Sequence, residues 1–313
     1  MKKTISYVFP IYNESGNIAL LYETVEELLR RYGKYNYELI FINDGSRDNS
    51  LELLQSLQVK DTRVIVIDFA RNFGHQIAVT AGLDYARGDA VIIMDSDMQD
   101  PPSVSFQLIE QWEEGYDVVY AQRRSRKDTW FKKLSADMFY RTLQKLADID
   151  IPRNTGDFRL IDRKVVDEIK KFKEHNRFLR GMVSYVGFKQ IAVQFDRDER
   201  HSGETGYPFK KMLKFAADGI FSFSTYPLKL VRNIGFFIAT LAFIGTLYAV
   251  FMKIFYPGYI IDGWTFIVVS VLFVGGIQIV MLGLVGSYVG RIYTESQNRP
   301  LYSVRSIFKY NKK

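Results

Sequence analysis

Short apolar runs alternate with amphipathic stretches over about the first 125 residues of the chain. The runs are typical of buried strands, whereas the stretches between them repeat apolar residues at helical spacing. This rhythm predicts an α/β fold with a mostly parallel sheet covered on both faces. The predicted strands are 5–10, 37–42, 64–69, 90–94 and 117–121, and the predicted helices are about 18–31, 48–57, 75–86 and 104–113.

Two much longer apolar segments follow in the C-terminal third. Residues 233–252 contain no charge over 20 positions, and residues 263–290 contain none over 28. At 1.5 Å per residue, each can cross a hydrocarbon core of about 30 Å. We therefore predict two transmembrane helices; the alternative is two buried helices of a soluble core.

Basic residues flank these segments unevenly. Lys229 and Arg232 precede the first, the connecting loop 255–262 has no Lys or Arg, and the tail after Gly290 has a net charge of +5. The positive-inside rule then places the α/β domain and both chain ends in the cytoplasm, at the inner or plasma membrane. The predicted segments are the α/β domain 1–207, an interfacial helix and linker 208–232, two spans 233–290, and a basic tail 291–313.

Two basic amphipathic stretches precede the spans, at about 130–147 and from 208 onward. Helices of this kind dock on anionic headgroups beside membrane spans. We expect an anionic membrane surface as a partner; ordinary surface helices packed on the sheet are the alternative.

Composition and motif content limit the partners, sites and enzyme classes that the chain can have. The net charge of +7 favours an anionic partner, such as a phosphorylated substrate, nucleic acid or anionic lipid. The absence of cysteine excludes disulfides, thiolate metal sites and a cysteine nucleophile. No G-x-G-x-x-G follows the first strand and no G-x-x-x-x-G-K-[ST] occurs, which argues against a nicotinamide dehydrogenase and a P-loop NTPase.

Polar clusters end three of the predicted strands, at residues 12–14, 43–46 and 95–100. Ligands of parallel sheets gather at the carboxyl ends of the strands, so we expect the clusters to meet at one edge. The third cluster contains Asp95, Asp97 and Asp100. Mg²⁺ and Mn²⁺ commonly join one or two carboxylates to substrate phosphates. The cluster therefore predicts a divalent-cation site; turn and capping chemistry is the alternative for each cluster alone.

Four ordered motifs resemble a known family. They are F-P-I-Y-N-E at 9–14, I-N-D-G-S at 42–46, D-S-D-M-Q-D-P-P at 95–102 and T-G-D-F-R-L at 155–160. They are similar to inverting family-2 glycosyltransferases of the dolichol-phosphate-mannose-synthase-like branch, particularly bacterial bactoprenol glucosyltransferases with two C-terminal spans. The resemblance covers nearly the whole chain and implies a GT-A catalytic domain, which is Rossmann-like.

The resemblance also implies a role for each matching residue. The nucleotide-sugar residues would be Pro10, Tyr12, Glu14, Asp44, Asp95, Arg200 and Ser202, and the metal residues Asp95, Asp97 and Gln99. Asp44 would bind the base, and residues 200–205 resemble the loop that closes over the diphosphate. Gly206 departs from the family, which usually has a lysine there.

Asp157 occupies the position usually called the catalytic base. A phosphate monoester has a second pKa near 6 and is mostly a dianion at neutral pH, so it has no proton to give up. We hypothesise instead that Asp157 orients the site, holding a basic residue such as Arg159 or a sugar hydroxyl. Asp97, Asp157 and Arg159 are the predicted catalytic residues.

A basic cluster after the fifth strand would hold the acceptor phosphate. Its members are Arg123, Arg124, Arg126 and Lys132. Arginine presents a planar fork that matches phosphate oxygens. The alternative is a solvated basic loop. The histidines His75, His175 and His201 have no metal-ligand spacing, and we leave them outside the chemistry.

The sequence thus predicts a membrane-anchored enzyme that transfers one hexose with inversion, glucose from UDP-glucose, to polyprenyl phosphate on the cytoplasmic face. The implied partners are a nucleotide sugar and a polyprenyl phosphate lipid, not nucleic acid, and the oligomeric state, homo-oligomer included, stays open. One alternative is a polysaccharide synthase of the same fold, but its Q-x-x-R-W motif is absent. Another is a non-catalytic scaffold or flippase subunit that kept a nucleotide-sugar-binding domain.

Overall fold

The computed structural model describes residues 2–31, 33–124, 152, 155–196, 226–255 and 263–310. The chain forms two compact units. The first comprises residues 1–144, 149–219 and 299–313, and the second residues 145–148 and 220–298. A mixed sheet with its helices makes up the first unit, and two long helices dominate the second.

Eight strands form one sheet in the first unit. They are β1 (Thr4–Ile11), β2 (Asn36–Asn43), β3 (Val64–Phe69), β4 (Ala90–Ile93), β5 (Val118–Arg123), β6 (Thr155–Asp162), β7 (Gln190–Phe195) and β8 (Val304–Phe308). Their order is β7-β5-β6-β4-β1-β2-β3-β8. The pairs β1–β2, β1–β4, β2–β3 and β5–β7 are parallel, whereas β6 is antiparallel to β4 and β5, and β8 to β3.

Helices connect the strands. They are α1 (Ser15–Arg31), α2 (Ser50–Lys60), α3 (His75–Tyr85), α4 (Val104–Glu113), α5 (Arg163–Ile169) and α6 (Leu179–Tyr185). The five strands and four helices predicted for the first part of the chain all form, with their ends shifted by three residues or fewer. The mostly parallel α/β fold is confirmed.

The core explains why the central strands are so regular. In β1 every residue after Thr4 is buried, as expected for a parallel strand with helices on both faces. The rings of Phe9 and Phe41 stack at 4.8 Å between β1 and β2. A Cβ at Gly82 of α3 would lie 2.1 Å from Val8 Cγ1, so only glycine lets α3 approach β1 this closely. This packing fixes where α3 begins relative to the strand ends.

Part of the predicted basic tail is an edge strand. The aromatic ring of Tyr302 stacks on Phe69 at 5.1 Å, and its hydroxyl donates to Asp84 at 2.9 Å. Within β8, Arg305 Nη2 donates to the carbonyl oxygen of Ala70 at 2.8 Å. The chain thus returns to the sheet after the second long helix, which sequence analysis did not predict.

The second unit contains α7 (Tyr226–Phe255) and α8 (Trp264–Ser296). Within them, Leu228–Gly245 and Phe273–Ser296 are long and apolar enough to cross a membrane, with mean hydropathies of 1.5 and 1.7. These helices coincide with the two predicted spans. Of the predicted amphipathic segments, 130–147 and 208–225 lie outside the described residues, and 226–232 form the start of α7.

Candidate active site

The three polar clusters meet at one edge of the sheet, because β4, β1 and β2 are parallel neighbours. Asn13 has a φ of 54°, and this turn lets its backbone N–H reach Ser46 Oγ at 3.0 Å. Asn13 Oδ1 in turn accepts the backbone N–H of Arg47 at 2.8 Å. On the other side of β1, Ser96 Oγ donates to the carbonyl oxygen of Pro10 at 3.2 Å. The strand ends are therefore tied together as a rigid rim.

Strand β6 brings a fourth segment to this rim. It runs antiparallel to β4, and Ile93 pairs with Arg159. Continuing that register by two residues brings Asp95 level with Asp157. Alternation along β6 turns Phe158 into the core, where it is fully buried, and leaves Asp157 and Arg159 on the opposite face. The antiparallel pairing thus explains how residues far apart in sequence share one site.

His75 lies between the two carboxylates. Its Nε2 is 3.2 Å from Asp157 Oδ2 and 3.5 Å from Asp95 Oδ1. Burial alone would lower the pKa of His75, but the charges of Asp95 and Asp157 outweigh it and raise that pKa to about 9. The imidazole is therefore a cation at neutral pH, with 43% of its side chain exposed. The sequence did not indicate this position of His75, because its partners are distant in sequence and no local spacing reveals them.

Asp157 is held by three donors. Arg180 Nε donates to Oδ1 at 2.8 Å, and Gln76 Nε2 donates to Oδ2 at 2.9 Å, beside the His75 contact. Burial would raise the pKa of Asp157, but Arg180 and His75 outweigh it and hold that pKa well below its usual range. The carboxylate is thus a fixed anion. Neither Gln76 nor Arg180 was singled out from the sequence.

Arg159 has a different place from the one expected. Its Nη2 donates to the carbonyl oxygen of Gly156 at 3.0 Å, and the side chain is buried. Burial lowers the pKa of Arg159 to about 10. Among the described arginines it is Arg180 that hydrogen-bonds Asp157, so the suggested Asp157–Arg159 pair is corrected to Asp157–Arg180.

Asp95 and Asp97 fit a divalent cation by their chemistry. Asp95 Oδ1 is buried and makes no hydrogen bond to a described residue, apart from its ion pair with His75. Burial raises the pKa of Asp95, and Asp157 and Asp97 add to this effect. Asp97 Oδ1 accepts the backbone N–H of Gln99 at 3.2 Å. Within the described ranges no three His, Asp or Glu residues are grouped to hold a metal.

Asp44 organises the loop that leads into α3. Its carboxylate accepts Asn72 Nδ2 at 3.0 Å and the backbone N–H groups of Phe73 and Gly74 at 2.7 and 2.9 Å. Burial raises the pKa of Asp44, which is only 2% exposed. Asp44 therefore acts on the site through residues 72–74, and its contact with a base remains a prediction.

Two other residues predicted to bind the nucleotide sugar, Tyr12 and Glu14, lie at the same strand ends. Tyr12, directly after β1, is 43% exposed. Glu14 Oε2 accepts Asn17 Nδ2 at 2.6 Å, at the start of α1. The predicted residues Arg126, Lys132, Arg200 and Ser202, together with Gly206, lie outside the described part of the chain.

The structure describes two residues of the predicted acceptor-phosphate cluster, Arg123 and Arg124, and their surroundings differ. Arg123 Nη2 is 3.6 Å from Asp100 Oδ1, and a Cβ on Gly156 would lie 3.4 Å from that nitrogen. Arg123 therefore lies beside the strand that carries Asp157. Arg124 is 60% exposed and lies 3.5 Å from Asp196 on the surface. The geometry thus brings Arg123, but not Arg124, into the neighbourhood of the carboxylates.

Comparison with known proteins shows the family of the chain. The model of the family "Glycosyl transferase family 2" matches residues 6–170. The chain is 50% identical to the uncharacterized glycosyltransferase YkcC of Bacillus subtilis, over 98% of this chain and 96% of the relative. It is 41% identical to the prophage bactoprenol glucosyl transferase homolog of Escherichia coli (97% and 99% covered) and 40% identical to the bactoprenol glucosyl transferase of Shigella phage SfV (96% and 98% covered). The chain therefore belongs to glycosyl transferase family 2, with a GT-A fold.

Proposed function

We propose that this enzyme transfers one glucose from UDP-glucose to a polyprenyl phosphate, with inversion, at the cytoplasmic face of a membrane. The main support for this proposal is that Asp95, Asp97 and Asp157 lie together at one edge of the sheet. It occurs in a chain that matches proteins named bactoprenol glucosyl transferase over nearly its whole length. The two long apolar helices support a lipid acceptor.

The proposed reaction is a single displacement. An oxygen of the acceptor phosphate attacks the anomeric carbon, the bond from that carbon to the donor diphosphate breaks, and UDP leaves. Attack from the face opposite the leaving group inverts the anomeric centre. The acceptor is mostly a dianion at neutral pH and has no proton to give up. The three donors on Asp157 support a role in orientation rather than as a general base.

Asp95 and Asp97 would hold Mg²⁺ or Mn²⁺ together with the donor diphosphate, with Gln99 assisting. Such a cation offsets the negative charge of a departing diphosphate. Tyr12 and the loop held by Asp44 would receive the nucleoside. Arg123 would bind the acceptor phosphate. Arg126 and Lys132, which lie outside the described residues, stay sequence predictions for the same role. Arg124, which pairs with Asp196 on the surface, is the weaker candidate.

The return of the chain to the sheet supports the proposed topology. Residues on both sides of the two long helices belong to the first unit, and β8 pairs with β3. A chain that leaves and rejoins one unit crosses a membrane an even number of times. Two spans with both chain ends in the cytoplasm satisfy this condition.

The proposal is tested with the full-length protein in detergent. The protein is incubated with undecaprenyl phosphate, a divalent cation and a panel of nucleotide sugars, and lipid products are identified by mass spectrometry. We expect one hexose per lipid, from UDP-glucose. Extended polymers would favour a polysaccharide synthase, and the absence of any lipid-linked sugar would favour a non-catalytic role; either result contradicts the proposal.

A further inference from the structure

Gln76 joins two elements of the site. It is the second residue of α3, and its Nε2 donates to Asp157 Oδ2 at 2.9 Å. Its Oε1 accepts the backbone N–H of Leu179, the first residue of α6, at 3.1 Å. One side chain therefore links the starts of two helices, with the carboxylate of Asp157 bound to it.

Only one orientation of the Gln76 amide satisfies both partners. The backbone N–H of Leu179 can only donate, and the ionised carboxylate of Asp157 can only accept. Rotating the amide by half a turn would place two acceptors together at Asp157 and two donors together at Leu179. The hydrogen bonds therefore determine the orientation of the amide, and with it that of the carboxylate.

Arg180 holds the other oxygen of the same carboxylate. It follows Leu179 directly in α6, and its Nε donates to Asp157 Oδ1 at 2.8 Å. With Gln76 on Oδ2 and Arg180 on Oδ1, the carboxylate cannot turn without breaking a hydrogen bond. Asp157 is 6% exposed, so little water is present to replace a lost donor. Losing the Gln76 amide would therefore leave the orientation of Asp157 to Arg180 and His75.

We infer that Gln76 is a positioning residue for sugar transfer, which sets the orientation of Asp157 by anchoring it to α6. This inference rests on the proposed function, since it requires that Asp157 takes part in transfer. A misplacement of about 1 Å in a reacting group can lower a rate by about 100-fold. Loss of the Gln76 amide should accordingly lower turnover, with little effect on donor binding.

The first test is the nearly isosteric substitution Gln76→Glu. The new carboxylate can still accept the Leu179 N–H, but it faces Asp157 with like charge. We expect kcat to fall by at least about 10-fold while KM for the donor changes by less than about 3-fold. Gln76→Ala, which removes the contact without adding charge, should also lower kcat. The control Gln107→Glu, on the exposed face of α4, should change neither constant. Wild-type kcat in both Gln76 variants would overturn the inference.

The second test separates positioning from a general loss of structure. Gln76→Glu is combined with Asp157→Asn, whose neutral amide no longer repels the introduced carboxylate. If Gln76 acts through Asp157, Gln76→Glu should cost less than about 2-fold further activity in that background. The same cycle is read from melting temperatures, which should fall with Gln76→Glu only when Asp157 is present. Equal losses in both backgrounds would overturn the inference.

The two readouts also separate this inference from the proposed function. The melting-temperature cycle needs no substrate and reports on the Gln76–Asp157 contact alone. A folded wild-type protein that transfers no sugar to any polyprenyl phosphate would contradict the proposed function, even if the melting temperatures show that Gln76 and Asp157 are coupled. Transfer by the wild type, together with an additive cycle, would contradict only the role of Gln76.

Discussion

At the scale of single residues, charge balance governs the site. Asp95 and Asp157 both approach Nε2 of His75, and Arg180 adds a second cation at Asp157. An anion that accepts this many hydrogen bonds is stabilised in its ionised form. Such a carboxylate is suited to hold other groups in place, because a pKa held well below its usual range makes it a poor base.

The pH dependence of Asp157→Asn tests this view. The pKa of Asp157 is held well below its usual range, so it stays ionised from about pH 6 to 9. Wild type and variant should therefore share the same acidic limb, set by ionisation of the acceptor phosphate near pH 6, with the variant at least about 10-fold lower. An acidic limb found in wild type, absent from the variant and unrelated to the acceptor would show that Asp157 is a base.

The Asp97→Asn variant tests the cation site. Removing one of two carboxylate ligands should weaken Mn²⁺ binding, read by electron paramagnetic resonance, and lower transfer by at least about 100-fold. The melting temperature should stay close to that of wild type, because Asp97 is partly exposed. The exposed Glu114→Gln serves as the matched control. Unchanged Mn²⁺ binding with unchanged activity would remove Asp97 from the mechanism.

The candidate site could be predicted from the sequence only in part. Asp95 and Asp97 follow a predicted strand and could be assigned to one edge, whereas Asp157 was identified through the resemblance of its T-G-D-F-R-L motif. His75 and Gln76 could not be predicted, because α3 meets Asp157 across 82 and 81 sequence positions. Contacts over such separations depend on tertiary packing, and here on the close approach of α3 to β1 at Gly82.

At the scale of elements, Asp61 joins α1, α2 and β3. It ends α2, accepts the hydroxyl of Tyr22 in α1 at 2.9 Å, and receives Arg63 Nη2 at 2.7 Å just before β3. Burial would raise the pKa of Asp61, but hydrogen bonds from Arg63 and Tyr22 outweigh it and lower that pKa. A lowered pKa in the folded state stabilises the fold above about pH 4, and this contribution is lost as pH falls through the folded pKa.

Asp61→Asn should therefore destabilise the protein in a pH-dependent manner. We expect a loss of roughly 1–3 kcal/mol at pH 7, seen as a lower melting temperature, because charge-assisted hydrogen bonds are removed. The difference from wild type should shrink as pH falls below about 4. Glu52→Gln, an exposed change in the same helix, should show neither effect. A difference that stays constant with pH would contradict the assignment.

Elements of the catalytic domain were predictable where local pattern decides them. Strands β1 to β5 and helices α1 to α4 follow from apolar periodicity and agree within three residues. Strand β8 could not be predicted from apolar periodicity, because its five residues alternate between half-buried and exposed and lie in a basic tail. Its place comes from long-range pairing with β3, which no local pattern encodes.

At the scale of the whole molecule, the basic residues and the returning strand support one topology. The sequence contains no cysteine, so a cysteine introduced at one position can be labelled without background from other cysteines. Tyr310→Cys lies just after β8, where Tyr310 is 58% exposed, and Gly258→Cys lies between the two long helices in the sequence. In intact spheroplasts a membrane-impermeant maleimide should label the Gly258→Cys variant and leave the Tyr310→Cys variant unlabelled. Both should react after permeabilisation, and the reverse pattern in intact cells would contradict the topology.

The most direct test of the whole account is the identity and anomeric configuration of the lipid product. Purified full-length protein is given UDP-glucose, a divalent cation and undecaprenyl phosphate, and the product is analysed by mass spectrometry and by the H1–H2 coupling in its proton NMR spectrum. We expect a single glucose on the lipid phosphate in the β configuration, inverted from the α-linked donor. A product in the α configuration, or UDP release with no lipid-linked glucose, would contradict it.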